Sequence, residues 1–380
     1  MNFDLNDEQL MIQETAYKFA KKEFQPIAIE CDREEKYPHG LLKKAAENGL
    51  VGIFIQEEYG GAGVGFLEVA LLMEQFSRID SGLALCIVAS TFGSENIFFF
   101  GSDEQKQGYL SRLVTGSAVC AGAYTEPNAG TDVAGYSTQA KKDGSDYIIN
   151  GSKMFITNGS ICDFMIVACI TDPEEPNRHK RMSLVIVDAD TPGITRTKLR
   201  GKMGIRASDT AEINFENVRV PQSNLLEKAG RGFHQLMHFF DCTRTMVAAQ
   251  GLGLAQGALD KTVEYVRQRE VFGQALFNFQ SVQFTLAEMA TMIELQRNIT
   301  YKAAWKIDQG RMDPSLNAMA KLNSGIIAVK VADMALQLHG GYGYMDEYDV
   351  QRFYRDAKII DIYEGVKEAE KMTIGRRLAK

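Results

Sequence analysis

The chain has 380 residues, enough for two or three domains and an ample core, and its formal net charge of -7 excludes the basic excess that nucleic acid or an anionic membrane surface demands. Six cysteines (31, 86, 120, 162, 169 and 242) lie scattered without a C-x-x-C pair, and the histidines do not cluster, so neither a disulfide framework nor a metal site is expected. The N-terminus MNFDLNDEQL carries no visible export or organelle signal, and no apolar run reaches the ~18 residues of a membrane span, so a soluble cytoplasmic protein with free buried thiols is expected.

Asn6 followed three residues later by Gln9 reads as a capping box, and Ile12, Ala16 and Phe19 recur at helical spacing until Pro26. Helical pattern continues in HGLLKKAAENGL (39–50), FLEVALLMEQFSRI (66–79) and SDEQKQGYLSRLVTG (102–116), which predicts a helical domain over 1–117. From 118 to 228 the texture changes to short β-rich runs, YIING, FMIVACI, MSLVIVD and AEINFENVRV, parted by turns such as Asp143-Gly144 and Asp172-Pro173. No helix-length pattern lies between them to make parallel crossovers, so an antiparallel β-domain is predicted. Helical period returns after Pro221, with Phe233, Leu236, Met237 and Phe240 on one face and long patterns through 246–271, 280–308 and 315–338. Residues 229–380 are therefore expected to form a four-helix bundle, giving a mainly α protein with a central β-domain.

Three stretches invite a chemical reading. The loop YGGAGVG (59–65) is rich in glycine, but it lacks the preceding strand and βαβ unit of a dinucleotide fingerprint and reads as a turn between helices. The run AYTEPNAGTDV (123–133) is dense in hydroxyls and turn formers, compatible with an ordinary turn. In KMFITN (153–158) strand alternation puts Phe155 and Thr157 on one face, where a ring and a hydroxyl could meet a flat polar heterocycle.

Taken together, TEPNAGTD (125–132), FITN (155–158), GIRASDTAEINFENVRVP (204–221), RxxFG (269–273), QLHGGYGY (337–344) and YRDAKIIDIYEG (354–365) resemble, in order and spacing, the FAD-dependent acyl-CoA dehydrogenases of the short- and medium-chain-like branch. The resemblance spans essentially the whole chain. It implies a helical domain, a β-domain and a helical bundle, FAD as cofactor, and a homotetramer with FAD near subunit interfaces. By resemblance Tyr124 and Thr125 meet the flavin edge, Thr131 lies beside it or the pantetheine, Phe155 packs on the isoalloxazine and Thr157 sits near N5. Arg269 and Gln280, with Phe272 in the same motif, are expected to reach a neighbouring subunit's FAD, and Gln337, Gly340 and Gly341 its diphosphate.

The same resemblance makes Glu364 of the YEG motif the base that removes the α-proton of an acyl-CoA while the β-hydride leaves for flavin N5. Gly365 lies beside the substrate, and Arg244 is expected to support the active site. A second family solution places the base just before that arginine, where this chain has Thr243. Acyl selectivity is expected from the segment carrying Thr91, from Tyr363 and from the surroundings of Thr243. No Arg or Lys lies between Arg78 and Lys106, which favours an apolar acyl group, short, medium, branched or cyclic, with cyclohexane-1-carboxyl-CoA a candidate. Val366 and Glu368 replace a usual threonine and glutamine near the cofactor, and Glu368 would need Lys367 or Arg269 to offset its charge. Glu370 reads as a solvated helix residue, and Asp361 as facing solvent or pairing with Lys358. Electron-transferring flavoprotein is the expected acceptor. An enoyl-CoA reductase and a non-catalytic acyl-CoA-binding homologue are the alternatives.

Overall fold

The structure, a computed structural model, describes residues 4–378. Its first helix, α1 (Asp7–Glu23), starts at the expected capping box: the Gln9 N–H donates to Asn6 Oδ1 at 2.9 Å, and the Asn6 N–H to Gln9 Oε1 at 3.0 Å. There follow α2 (Ala28–Glu34), α3 (His39–Glu47), α4 (Phe66–Ile79), α5 (Ser81–Val88), α6 (Glu95–Phe100) and α7 (Asp103–Val114). The glycines of 59–65 make a tight turn, where a Cβ on Gly61 would lie 1.9 Å from the Ile55 carbonyl oxygen. Contrary to the count of apolar residues alone, Ser81–Phe100 has the length and hydropathy of a membrane span, but 72% of it is buried inside the protein.

The middle block is one sheet of β1 (Cys120–Ala123), β2 (Gln139–Asp143), β3 (Asp146–Thr157), β4 (Phe164–Ile170), β5 (Met182–Asp188), β6 (Ile194–Lys198) and β7 (Thr210–Pro221), in the order β1-β4-β2-β3-β7-β6, with β5 also on β4. It is not purely antiparallel: β1 pairs with β4 in parallel, Cys120 opposite Phe164, and β2 touches β4 in the same sense at Gln139. A parallel pair needs only a long connection, and here the chain from β1 to β4 runs through the β2–β3 hairpin of the same sheet. β4 and β5 carry continuous apolar runs because β4 is buried on both faces.

The third block opens with α8 (Gly232–Gln268), 37 residues long. The small hairpin of β8 (Glu270–Val271) and β9 (Gln274–Ala275) follows, then α9 (Gln280–Asp308), α10 (Pro314–His339), α11 (Val350–Ala357) and α12 (Lys367–Leu378). α8 runs between α4 and α10 at backbone contact distance. A Cβ on Gly253 or Gly257 would come within 2.1 Å of the Glu74 or Arg78 carbonyl oxygen of α4, and one on Gly251 within 2.2 Å of Ser324 Oγ of α10.

α11 ties the three blocks together. Arg352 Nε donates to Asp80 Oδ2 at 2.8 Å in a pair whose side chains are each 4% exposed. Arg355 reaches Asp32 of α2 at 2.6 Å and the Met203 carbonyl at 3.0 Å, while the Ile205 N–H donates to Asp356 at 2.6 Å. All six cysteines are buried and unpaired, and burial pushes their thiols above the ordinary range.

Gly257→Ala is expected to cost about 1–3 kcal/mol, because its new methyl meets backbone that cannot yield without parting α4 from α8; an unchanged urea midpoint would show that the helices have room. Arg352→Leu leaves Asp80 buried and unpaired and should cost about 3–5 kcal/mol in the same measurement.

Candidate active site

The turn of Lys358–Asp361 ends α11, and Glu364 (φ 54) and Gly365 (φ 115) then carry the chain through left-handed backbone into α12. Glycine is required at 365 for a second reason: a Cβ there would sit 2.0 Å from Glu370 Oε1. Glu364 is half-buried, with enough protein around its carboxyl that burial is the largest influence on its charge. Thr243 Oγ1 of α8 donates to Glu364 Oε2 at 2.5 Å, and Lys321 Nζ of α10 donates to the Gly365 carbonyl. Burial raises the Glu364 pKa above the usual carboxylate range, opposed by the Thr243 hydroxyl and by the positive charges of Arg244 and Lys321. The Tyr363 hydroxyl donates to Gln250 Oε1, which fixes the residue before the carboxylate to α8.

Opposite this turn lies the TEPNAGTD loop, bolted to β3 by Lys153. The fully buried Lys153 ammonium donates to Glu126 at 2.8 Å and to the Tyr124 carbonyl at 2.9 Å. Glu126 also accepts from the Ser137 N–H at 2.7 Å and the Thr138 N–H at 2.9 Å. Burial alone would raise its pKa, but Lys153 and these hydrogen bonds hold it down at about 2. The Tyr124 ring is buried among Phe92, Phe239 and Phe240, and its hydroxyl accepts from Asn96 at 2.9 Å. The ring thus faces the core, with its hydroxyl and carbonyl each partnered by protein. Thr91 is also buried, its hydroxyl on the Val88 carbonyl at 3.2 Å.

A register shift between Lys153 and Ile156 interrupts the β3–β7 ladder, and Phe155 (φ 60) stands 69% exposed within it. Thr157 is half-buried beside it, on the far side of the register shift. Thr131 is exposed at the end of the neighbouring loop. An exposed aromatic ring beside Thr125 and Thr157 fits a flavin ring system.

The remaining expected cofactor residues gather elsewhere, at the end of the bundle. A cavity of about 440 Å³ is lined by Tyr265, Arg269, His339, Gly340, Gly341 and Tyr342, among others. Arg269 lies over the Tyr342 ring at 5.5 Å, and a Cβ on Gly340 or Gly341 would meet nothing within 4 Å. A guanidinium above open glycine backbone fits a diphosphate. Phe272 is 96% exposed at the tip of the β8–β9 hairpin, and Gln280 and Gln337 are exposed. Phe155, Thr157 and Glu364 are not among the residues lining this cavity.

Of two acidic residues read as helix-surface groups, Glu370 departs from expectation, while Asp361 makes the expected pair with Lys358. Glu370 is fully buried, 3.1 Å from Arg244 Nε, because α12 packs on α10 with that face inward. Asp361 is buried too, held by Lys358 at 3.0 Å and Lys367 at 2.9 Å, so Lys367 is engaged there while Glu368 stands exposed. Lys321 and Lys153 were not singled out from the sequence. Lys321 was detectable as a charge on an otherwise small-residue stripe with Ala318, Gly325 and Ala328, all buried or close-packed.

Three family models cover nearly the entire chain: the acyl-CoA dehydrogenase N-terminal domain over residues 6–117, the middle domain over 121–218 and the C-terminal domain over 230–379. The acryloyl-CoA reductase (NADH) of Anaerotignum propionicum is 41% identical, across 100% of this chain and 96% of that protein. Among solved structures, the butyryl-CoA dehydrogenase of Megasphaera elsdenii superposes with a TM-score of 0.97 at 39% identity, covering 100% of both chains. A chain solved in a study of the electron transferring flavoprotein of Acidaminococcus fermentans and flavin-based electron bifurcation matches equally, TM-score 0.97 and 40% identity over 100% of both. With identity near 40% end to end, and with residues that fit the cofactor, the chain belongs to the acyl-CoA dehydrogenase family of FAD-dependent oxidoreductases.

Proposed function

We propose that the protein catalyses α,β-dehydrogenation of a short, apolar acyl-CoA, with Glu364 as the base. The observation that carries this reading is the Glu364 carboxyl, anchored by Thr243 and raised in pKa by burial, because an α-proton is weakly acidic and demands a base freed from water. When bound, FAD accepts the hydride that leaves the β-carbon. The chain's own residues do the rest. Thr243 orients the carboxylate, Gly365 leaves the approach free of a side chain, and Tyr363 is fixed through Gln250. The Glu364 N–H makes no hydrogen bond among the described residues, which leaves it available to the thioester oxygen as enolate charge develops. Phe155 and Thr157 on β3, with Thr125 and Thr131, would hold the flavin. Arg269, Phe272, Gln280, Gln337, Gly340 and Gly341 would hold the diphosphate and adenosine of a neighbouring subunit's cofactor.

A short acyl group is supported by the butyryl-CoA dehydrogenase relative, and the packed rings of Phe92, Tyr124, Phe239 and Phe240 are the proposed limit on its length. Cyclohexane-1-carboxyl-CoA tests that limit. Electron-transferring flavoprotein is the proposed acceptor, supported by the Acidaminococcus fermentans match. A homotetramer is supported by large apolar side chains left on the surface, Phe272 at 96%, Tyr344 at 81% and Leu295 at 66% exposure. Six unpaired thiols support a reducing cytoplasmic setting. The acryloyl-CoA reductase relative favours a second reading, the same site run as an enoyl-CoA reductase, and rates with each redox partner separate the two.

Glu364→Gln should fold and stay yellow yet show no flavin bleaching when butyryl-CoA is added anaerobically, since an amide cannot take the proton; substantial bleaching would refute the assignment. Thr243→Val removes a hydrogen bond that favours the charged carboxylate, so the acid limb of flavin reduction should move up by roughly one pH unit. A limb that stays in place would mean that Thr243 does not hold the base in solution.

A further inference from the structure

Arginine beside a catalytic carboxylate is a hazard, because an ion pair with the base lowers its proton affinity. Arg244 follows Thr243, whose hydroxyl touches Glu364, yet no ion pair joins Arg244 to the Glu364 carboxylate among the described residues; the guanidinium meets only the Glu364 carbonyl, at 3.5 Å. Two other carboxylates occupy it. Asp241 accepts from Arg244 Nη1 at 2.9 Å, one turn back on α8, and Glu370 Oε1 lies 3.1 Å from Arg244 Nε. Glu370 is fully buried on α12, and neither of its oxygens accepts a hydrogen bond, so the ion pair with Arg244 is its contact. A carboxylate placed so poorly for its own solvation has the cation beside it as its main compensation.

We propose that Glu370 is a positioning residue for the base: together with Asp241 it holds the Arg244 guanidinium off the Glu364 carboxylate and so keeps that carboxylate able to take the α-proton. This inference rests on reading Glu364 as the base. The charged groups around Glu370 are Arg244 and Asp241 on α8, Lys321 on α10, and Glu364 on the preceding turn. Lys321 donates to the Gly365 carbonyl, and Asp361 is held by Lys358 and Lys367. On the far side of Glu364 the buried Glu95 of α6 feels its charge. Burial pushes the Glu370 carboxyl up, opposed by the positive charges of Arg244 and Lys321 and reinforced by the negative charges of Asp241 and Glu364.

The sign of the test follows. Removing the Glu370 charge leaves Arg244 free to pair with Glu364, which stabilises the ionised base and lowers its proton affinity. In the FAD-loaded enzyme, Glu370→Gln should therefore shift the acid limb of flavin reduction by butyryl-CoA down by about one pH unit and slow the plateau rate about tenfold. Adding Arg244→Gln to Glu370→Gln should return the limb upward, an effect that a purely structural loss would not give. Glu370→Asp, which keeps the charge, should stay near the wild-type limb and serves where the glutamine variant folds poorly. An unchanged limb in Glu370→Gln, or no return in the double variant, overturns the proposal. Flavin reduction in Glu364→Gln would instead overturn the assignment of the base itself, so the two failures are distinguishable.

Discussion

The close approach of α8 to both α4 and α10 is the constraint on which the rest of the structure depends. Two glycines face α4 and a third faces α10, and at each a single methyl would strike backbone or a serine hydroxyl. Thr243 and Arg244 project from this same helix, while Lys321 projects from α10 onto the turn of Glu364 and Gly365. A donor 2.5 Å from the carboxylate tolerates little drift of either helix. Packing far from the chemistry thus sets its geometry.

Electrostatics then decides the character of the site. Burial works against the charge on Glu364, and a hydroxyl and two cations work for it, with burial the largest influence. The outcome is a carboxylate with more proton affinity than an exposed one. On the opposite wall the balance falls the other way: Glu126 also suffers from burial, but Lys153 and three hydrogen bonds from 137–138 prevail. The two glutamates are therefore pushed in opposite directions: Glu364 is raised in proton affinity, and Glu126 is locked in its charged form to hold a loop.

Much of this was legible in the sequence, for reasons that differ by residue. The capping box of α1 and the apolar period of α4, α9 and α10 are local signals, and the helices form where they occur. Glu364 and Phe155 stand out through ordered motifs rather than through propensity, and the structure puts the first on a left-handed turn and the second exposed on an irregular strand. The parallel pairing of β1 with β4 was not legible, because strand order depends on which strands meet after the hairpin closes. Nor was the burial of Glu370. Its neighbours Glu368, Lys371 and Arg376 give the segment the look of a solvated helix, and only the packing of α12 on α10 turns one of its carboxylates inward. The packing of the Tyr124 ring was not legible either, since a tyrosine in a hydroxyl-rich loop gives no hint that its ring lies in an aromatic core.

The six cysteines have a consequence beyond chemistry. They fall in every block: Cys31 and Cys86 among the first helices, Cys120 and Cys169 in the sheet with Cys162 on the turn before β4, and Cys242 on α8. Each is sealed from solvent and held as a thiol, so none reacts as a nucleophile while its surroundings stay closed. The molecule thereby carries its own set of opening sensors, in which the order of labelling by a thiol reagent records the order in which helices, sheet and bundle come apart.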